Sequence, residues 1–102
     1  MKRGEIWTAR IGTKSRPVLV LTRDEVIDVR SLVTVAEITS LIRHNNIEVP
    51  LDWEDLGLSA ECVVNLDGLH TLRKSECLVF VATVPEETLV RCCRAVTYAL
   101  GC

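Results

Sequence analysis

The chain has 102 residues, of which 48% are hydrophobic and 25% charged, and its formal net charge is −2. That length suits one domain around one core, and the balance is that of an ordinary globular protein rather than a disordered or fibrous one. So small a net charge excludes a generally basic nucleic-acid binder, and any charge meant for phosphate must be local.

Apolar residues come in short runs of period two, broken by turn residues, and that pattern predicts strands. Glu5 to Ile11 is the first, carrying Ile6 and Trp7. Gly12-Thr13-Lys14-Ser15 reads as a turn. Pro17 to Leu21 is an unbroken apolar run, as expected of a strand buried on both faces at the centre of a sheet. Arg23 to Ser31 is polar and mixed and reads as a loop with a helical turn. Leu32 to Ile38, rich in β-branched residues, is the next strand.

His44-Asn45-Asn46 reads as a turn. Ile47, Val49 and Leu51 then alternate with Glu48 and Pro50, and the proline points to an edge strand. Asp52 to Ala60 is a loop. Glu61 to Asp67 is a strand with Cys62, Val64 and Leu66 on one face and Glu61, Val63, Asn65 and Asp67 on the other. Leu69 to Leu72 and Leu78 to Ala82 are further short strands.

The last segment changes period. Pro85 suits a first helical position, and Glu86 and Glu87 suit the positive end of a helix dipole. Leu89, Cys93, Val96 and Leu100 follow on one helical face, and Gly101 is placed to stop the helix. The expectation is a mainly β fold: a strongly curved sheet or small barrel of five to seven strands, with one C-terminal helix, forming a single domain over 1–102.

The five cysteines are Cys62, Cys77, Cys92, Cys93 and Cys102. Four lie in apolar-patterned segments and are expected to be buried free thiols in a reducing compartment. They show no CxxC spacing, and His44 and His70 form no ligand pair with them, so neither a metal site nor a cofactor is expected. Cys102 is open to oxidation that would link chains. No apolar signal core follows Met1-Lys2-Arg3, and no run approaches the about 18 apolar residues of a membrane span. A cytoplasmic location with no membrane partner is expected.

Several segments, taken together and in order, resemble the MazF/PemK toxins. Arg3-Gly4-Glu5-Ile6-Trp7 resembles their opening, and Arg16-Pro17-Val18-Leu19-Val20 their second strand. Ala36-Glu37-Ile38-Thr39-Ser40 resembles the strand that finishes in Thr-Ser, and Glu48-Val49-Pro50-Leu51 the edge strand after it. Glu61 to Asp67 and Val84 to Gly101 resemble the acidic-ended strand and the closing helix. The resemblance implies an SH3-like barrel of the CcdB/PemK type. It implies a homodimeric, metal-independent, sequence-specific endoribonuclease, the toxin half of a type II toxin–antitoxin pair.

A nuclease that borrows the 2′-OH of RNA as nucleophile needs no activated water. It must take the proton of that hydroxyl, stabilise an anionic phosphorus centre and protonate the leaving 5′-oxygen, giving a 2′,3′-cyclic phosphate and a 5′-OH. Arg16 is the first candidate: a guanidinium never loses its charge and donates two bonds to phosphate. Thr39 and Ser40 offer hydroxyls, and the resemblance pairs the threonine with the arginine. Asp67 is the candidate base. Family members that use an acid there carry an arginine two residues earlier, where this chain has Asn65, so Arg16 or water must supply the acid. Asn65 with Asp67 is then also a candidate base reader.

Glu61 and Lys14 are further substrate contacts. His70 stands where many members have arginine, and imidazole suits proton transfer near neutrality. Trp53, in a loop, is a stacking candidate, whereas Trp7 suits the core or a dimer interface. Arg10, Arg23, Arg43, Arg73 and Lys74 also fall near strand ends. The loop from Ile11 to Ser15 is shorter than in many members, which predicts a more open cleft.

The partners implied are single-stranded RNA, in a groove shared by two subunits, and an antitoxin whose disordered acidic and apolar segment covers that groove. The competing readings are a non-catalytic SH3-like binding module, a CcdB-like gyrase poison, and a decayed toxin that only binds RNA. The Arg16, Thr39 and Asp67 set favours the endoribonuclease over a binding module, which does not need it, whereas Asn65 keeps the decayed-toxin reading open.

Overall fold

The computed structural model describes residues 1–102. Its strands are β1 (Glu5–Ile11), β2 (Lys14–Val20), β3 (Leu32–Thr39), β4 (Glu48–Pro50), β5 (Val63–Arg73) and β6 (Cys77–Thr83). Helix α1 (Asp24–Ile27) is a single turn, and α2 (Glu86–Leu100) closes the chain. The six strands form one sheet in the order β4-β5-β3-β2-β1-β6, all neighbours antiparallel. The mainly β architecture with a C-terminal helix is as expected.

Interior strands must bury both faces, and β2 shows why its sequence is continuously apolar. Leu19 enters a core that also holds Ile6, Ala36, Val64 and Leu66 together with Leu89, Cys92 and Ala95 of α2. Val18 and Val20 enter a second core on the opposite face, with Ala9, Ile27, Val33, Val35 and Cys77. Register ties these faces together. Ile6, Leu19, Ala36 and Leu69 lie in one row across four strands on the helix side. On the other side the row runs Trp7, Val18, Glu37, Asn65, Glu48. That second row turns from apolar to polar as it crosses from β2 to β3.

Five details differ from the sequence reading. The first turn is only Gly12 and Thr13; Lys14 and Ser15 already belong to β2, paired with Ile11 and Arg10. The turn before β4 falls on Asn46 and Ile47 rather than on His44 to Asn46. The two strands expected at 61–67 and 69–72 are one, because a bulge facing the Ala36/Glu37 step absorbs the extra residues and β3 pairs on both sides of it. Pro85 is the N-cap of α2, one residue before its first turn. Finally, α2 buries Leu89, Cys92 and Ala95, and leaves Cys93 and Leu100 exposed. Small residues let the helix approach the sheet closely, so the buried face is rotated from the Leu89-Cys93-Val96-Leu100 stripe. Three thiols are therefore buried, not four: Cys62, Cys77 and Cys92. Helix α2 ends at Gly101, which takes the left-handed conformation.

Candidate active site

Pro17 shapes the site. It has no N–H to give to a ladder, and the β2–β3 pairing stops at Val18↔Glu37. Carrying that register two residues further sets Arg16 opposite Thr39, but without pairing, so the strand ends part and a cleft opens between them. Two adjoining cavities, of about 410 and 130 Å³, share Arg16 and Thr39 in their walls. The larger adds Lys14, Ser40 and Ser59, and the smaller adds Glu37, Arg43, Glu48 and Asn65.

Glu37, in the wall of the smaller cavity, joins Arg16 of the same wall to His70, which lies outside it. Arg16 Nε lies 3.6 Å from Glu37 Oε1, and His70 Nε2 donates to Glu37 Oε2 at 2.9 Å. Contact through Nε leaves both terminal amino groups of Arg16 free to fork around a phosphate. The side chain of Glu37 is 26% exposed and that of Arg16 42%, so the carboxylate is held inside while the guanidinium reaches solvent. Gly68, in the bulge of β5, makes room: a Cβ there would lie 3.2 Å from Glu37 Oε2 and 3.3 Å from Asn65 Nδ2.

The polar neighbours are set by local bonds. Thr39 Oγ1 accepts from Leu41 N–H at 3.0 Å, which orients the hydroxyl and leaves its own proton to donate into the cleft. Asn65 Oδ1 accepts from Asp67 N–H at 3.1 Å, which leaves the amide N–H groups of Asn65 for another partner. Glu48 accepts from Arg43 N–H at 3.0 and 3.2 Å, which fixes the start of the β3–β4 loop against β4.

Of the candidates from sequence, the cleft brings together Arg16, Thr39, Ser40, Lys14 and Asn65, with His70 joined through Glu37. Asp67 and Glu61 are exposed and line neither cavity. Trp53 lines neither cavity and packs, part-buried, against the larger core. Trp7 packs against the second core, edge-on to Phe80 at 5.9 Å between ring centres. Glu37 was missed. Its signal was its place in β3: Val33 and Val35 on its own face are buried, so a carboxylate there interrupts an inward-facing row.

Burial pushes the Cys92 thiol up to about 12, and raises Cys62, beside the cleft, and Cys77 as well. These thiols stay protonated at neutral pH and are not nucleophiles. Nowhere do three His, Cys, Asp or Glu side chains converge as metal ligands would. No helix is long and apolar enough to cross a membrane.

Comparison with known proteins gives consistent matches. Residues 2–100 fit the family model described as PemK-like, MazF-like toxin of type II toxin-antitoxin system. The "Probable endoribonuclease MazF2" of Mycobacterium tuberculosis (strain CDC 1551 / Oshkosh) is 34% identical over 102 residues, all of both chains. The solved structure of "Mycobacterium tuberculosis toxin MazF-mt6" superimposes with a TM-score of 0.88 at 31% identity, covering 95% of this chain and 96% of that one. A MazE-MazF crystal structure from Deinococcus radiodurans gives a TM-score of 0.84 at 25% identity, covering 99% and 95%.

Proposed function

The chain belongs to the PemK-like, MazF-like toxin family of type II toxin–antitoxin systems, and on that premise we propose that it is an endoribonuclease toxin cutting single-stranded RNA at the Arg16–Thr39 cleft without a metal. The observation that carries this is one opening walled by the hydroxyl of Thr39, the fixed cation of Arg16 and the carboxylate of Glu37, with Glu37 paired to Arg16 and, behind the opening, to the imidazole of His70.

The terminal amino groups of Arg16 and the hydroxyl of Thr39 hold the non-bridging oxygens of the scissile phosphate. Donors placed where charge develops contribute about 10²–10³-fold. Glu37 takes the proton of the 2′-OH, since it is the carboxylate beside the phosphate-binding cation, and Asp67 stands outside the cleft. His70 donates to the other carboxylate oxygen and holds it in that orientation. The 2′-oxygen bonds to phosphorus, the bond to the 5′-oxygen breaks, and water entering the open cleft protonates the leaving oxygen. The products are a 2′,3′-cyclic phosphate and a 5′-OH. Asn65, with free amide N–H groups, reads the edge of a neighbouring base, while Lys14 and Ser40 contact the backbone.

The partner surfaces follow from charge and exposure. On the outer edge strand β6, Leu78, Val79 and Phe80 are about half exposed. Ala9 pairs with both Arg16 and Cys77, so this edge is two strand spacings, or about 10 Å, from Arg16. A second copy meeting this edge forms a homodimer with Arg16 close to a groove between subunits. An antitoxin segment, acidic and apolar and ordered only on binding, would cover the same cleft and occupy Arg16.

The test is primer extension on a long single-stranded RNA incubated with purified protein in EDTA. Discrete cuts whose downstream fragments accept phosphate from a kinase without prior dephosphorylation support the reading. Intact RNA, or fragments bearing 5′-phosphates, would refute it.

A further inference from the structure

From the geometry we infer a second RNA-binding surface, across the β4 edge from the cleft, that holds the strand running away from the cleavage site; this rests on the endoribonuclease reading above. The surface is an open groove of about 500 Å³ between the β3–β4 loop and helix α2, with Asn45, Asn46 and Glu48 on one wall and Arg91, Arg94 and Tyr98 on the other.

Spacings of three and four residues put Arg91, Arg94 and Tyr98 on one stripe of α2. Tyr98 is 66% exposed although it is the only tyrosine of the chain. Neither arginine has a carboxylate partner, for the only ion pairs in the molecule are those of Glu37. The groove itself holds two guanidinium groups, Arg91 and Arg94, and one carboxylate, Glu48, which is already bonded to the backbone N–H of Arg43. The surrounding charge is therefore positive in a chain whose net charge is −2.

Continuity with the cleft identifies the occupant. Glu48 belongs to the walls of both the Arg16 cavity and this groove. Strand β4 is only three residues long and no strand pairs with its outer side, so its edge is the short way round from the cleft to the groove. A single strand leaving Arg16 passes Asn65 and Arg43, rounds β4, and reaches two phosphate-binding cations and an aromatic ring that faces solvent. Cations tracking a backbone beside an aromatic platform are what single-stranded nucleic acid requires, whatever its bases.

The experiment compares two RNAs with the same cleavage site: a core too short to round β4 and one extended by about ten nucleotides on each side, long enough for the several-nucleotide site sizes of single-strand grooves. Binding is measured with versions carrying 2′-deoxyribose at the scissile position, so that it can be read even if cleavage fails; cleavage is measured on the unmodified RNAs. In R91A/R94A the extended RNA should bind about tenfold more weakly, with the salt dependence of log Kd lowered by about 1.4, the value for two lost phosphate contacts on a single strand. Tyr98→Ala should weaken the extended RNA about fivefold, the low end of one stacking contact. The short RNA should keep its kcat/KM in both variants, and thermal melting should be unchanged.

Equal binding of the extended RNA by wild type and variants overturns the inference. So does an equal loss on the short RNA, which would place these residues in the fold or the catalytic cleft. If the variants lose only an acidic peptide, such as oligoglutamate, and keep the RNA, the groove is a protein site and the inference is again wrong. Failure of the wild type to cleave either RNA, with extended-RNA binding still sensitive to the arginines, would instead refute the endoribonuclease reading alone.

Discussion

Replacing Glu37 by Gln removes one charge from the cleft with almost no change of shape, and the structure separates its two consequences. The carboxylate sits 3.6 Å from Arg16 Nε. At that distance, with Arg16 open to solvent, the attraction is worth about 1 kcal/mol, or about fivefold. A base that takes the 2′-OH proton contributes about 10²–10⁴-fold. Loss of the base therefore dominates, and kcat should fall by about 100-fold or more. KM should stay level or decrease by no more than about fivefold, because Arg16 no longer shares its charge with a neighbouring carboxylate. A fluorophore–quencher oligonucleotide with one ribonucleotide linkage, followed under single-turnover conditions, reads the chemical step directly. Asp67→Asn should stay within about twofold of wild type, as expected for an exposed carboxylate outside the cleft. If Glu37→Gln kept its rate to within about threefold while Asp67→Asn lost about 100-fold, the assignment of the base would be wrong.

Other consequences can be measured independently. In the folded protein a thiol reagent should label Cys93 and Cys102 rapidly, with Cys62, Cys77 and Cys92 reacting only in denaturant. The buried thiols hold protons that the unfolded chain releases, so their contribution to stability is complete below the ordinary thiol value. For Cys92 it declines as pH rises from 9.0 towards about 12; denaturant titrations across that window should show it. Gly4 has φ +87°, and a Cβ there would lie 2.9 Å from Leu89 Cδ1. Gly4→Ala should cost about 2–3 kcal/mol through backbone strain and the displaced leucine, lowering Tm by about 10 °C or more. Gly68→Ala should instead leave Tm nearly unchanged and lower kcat about tenfold, by shifting Glu37 and Asn65.

How much could be read from the sequence depends on the range of the interaction. Strands β1, β2, β3 and β6 were legible because alternation, or its absence, records which faces are buried. The continuous run in β2 correctly gave an interior strand. Strand β5 was split in two because Asp67-Gly68 has the chemistry of a turn, yet pairing with β3 on either side turns that break into a bulge. The buried face of α2 was misplaced because Cys92, Cys93, Ala95 and Val96 are all small and apolar. Periodicity alone cannot choose among such residues, and contact with the sheet does.

The same distinction holds at the site. Arg16 and Thr39 were legible from local chemistry and from the family's pattern. Glu37 was not, because its partners lie 21 residues before it and 33 after it, and only cross-strand register brings them together. Trp53 looked available as a loop residue, but the loop folds back on the larger core. Asp67 shares a strand with Asn65 but falls in the bulge between Asn65 and Leu69, exposed and outside the cleft.

The most direct test of the account is the cleavage rate of Arg16→Ala on a defined single-stranded RNA in EDTA, with folding and self-association checked on the same sample. The predicted result is a folded protein, associated as the wild type is, that cleaves about 10²–10³-fold more slowly. Cleavage at the wild-type rate, at the same positions and with the same ends, would contradict it.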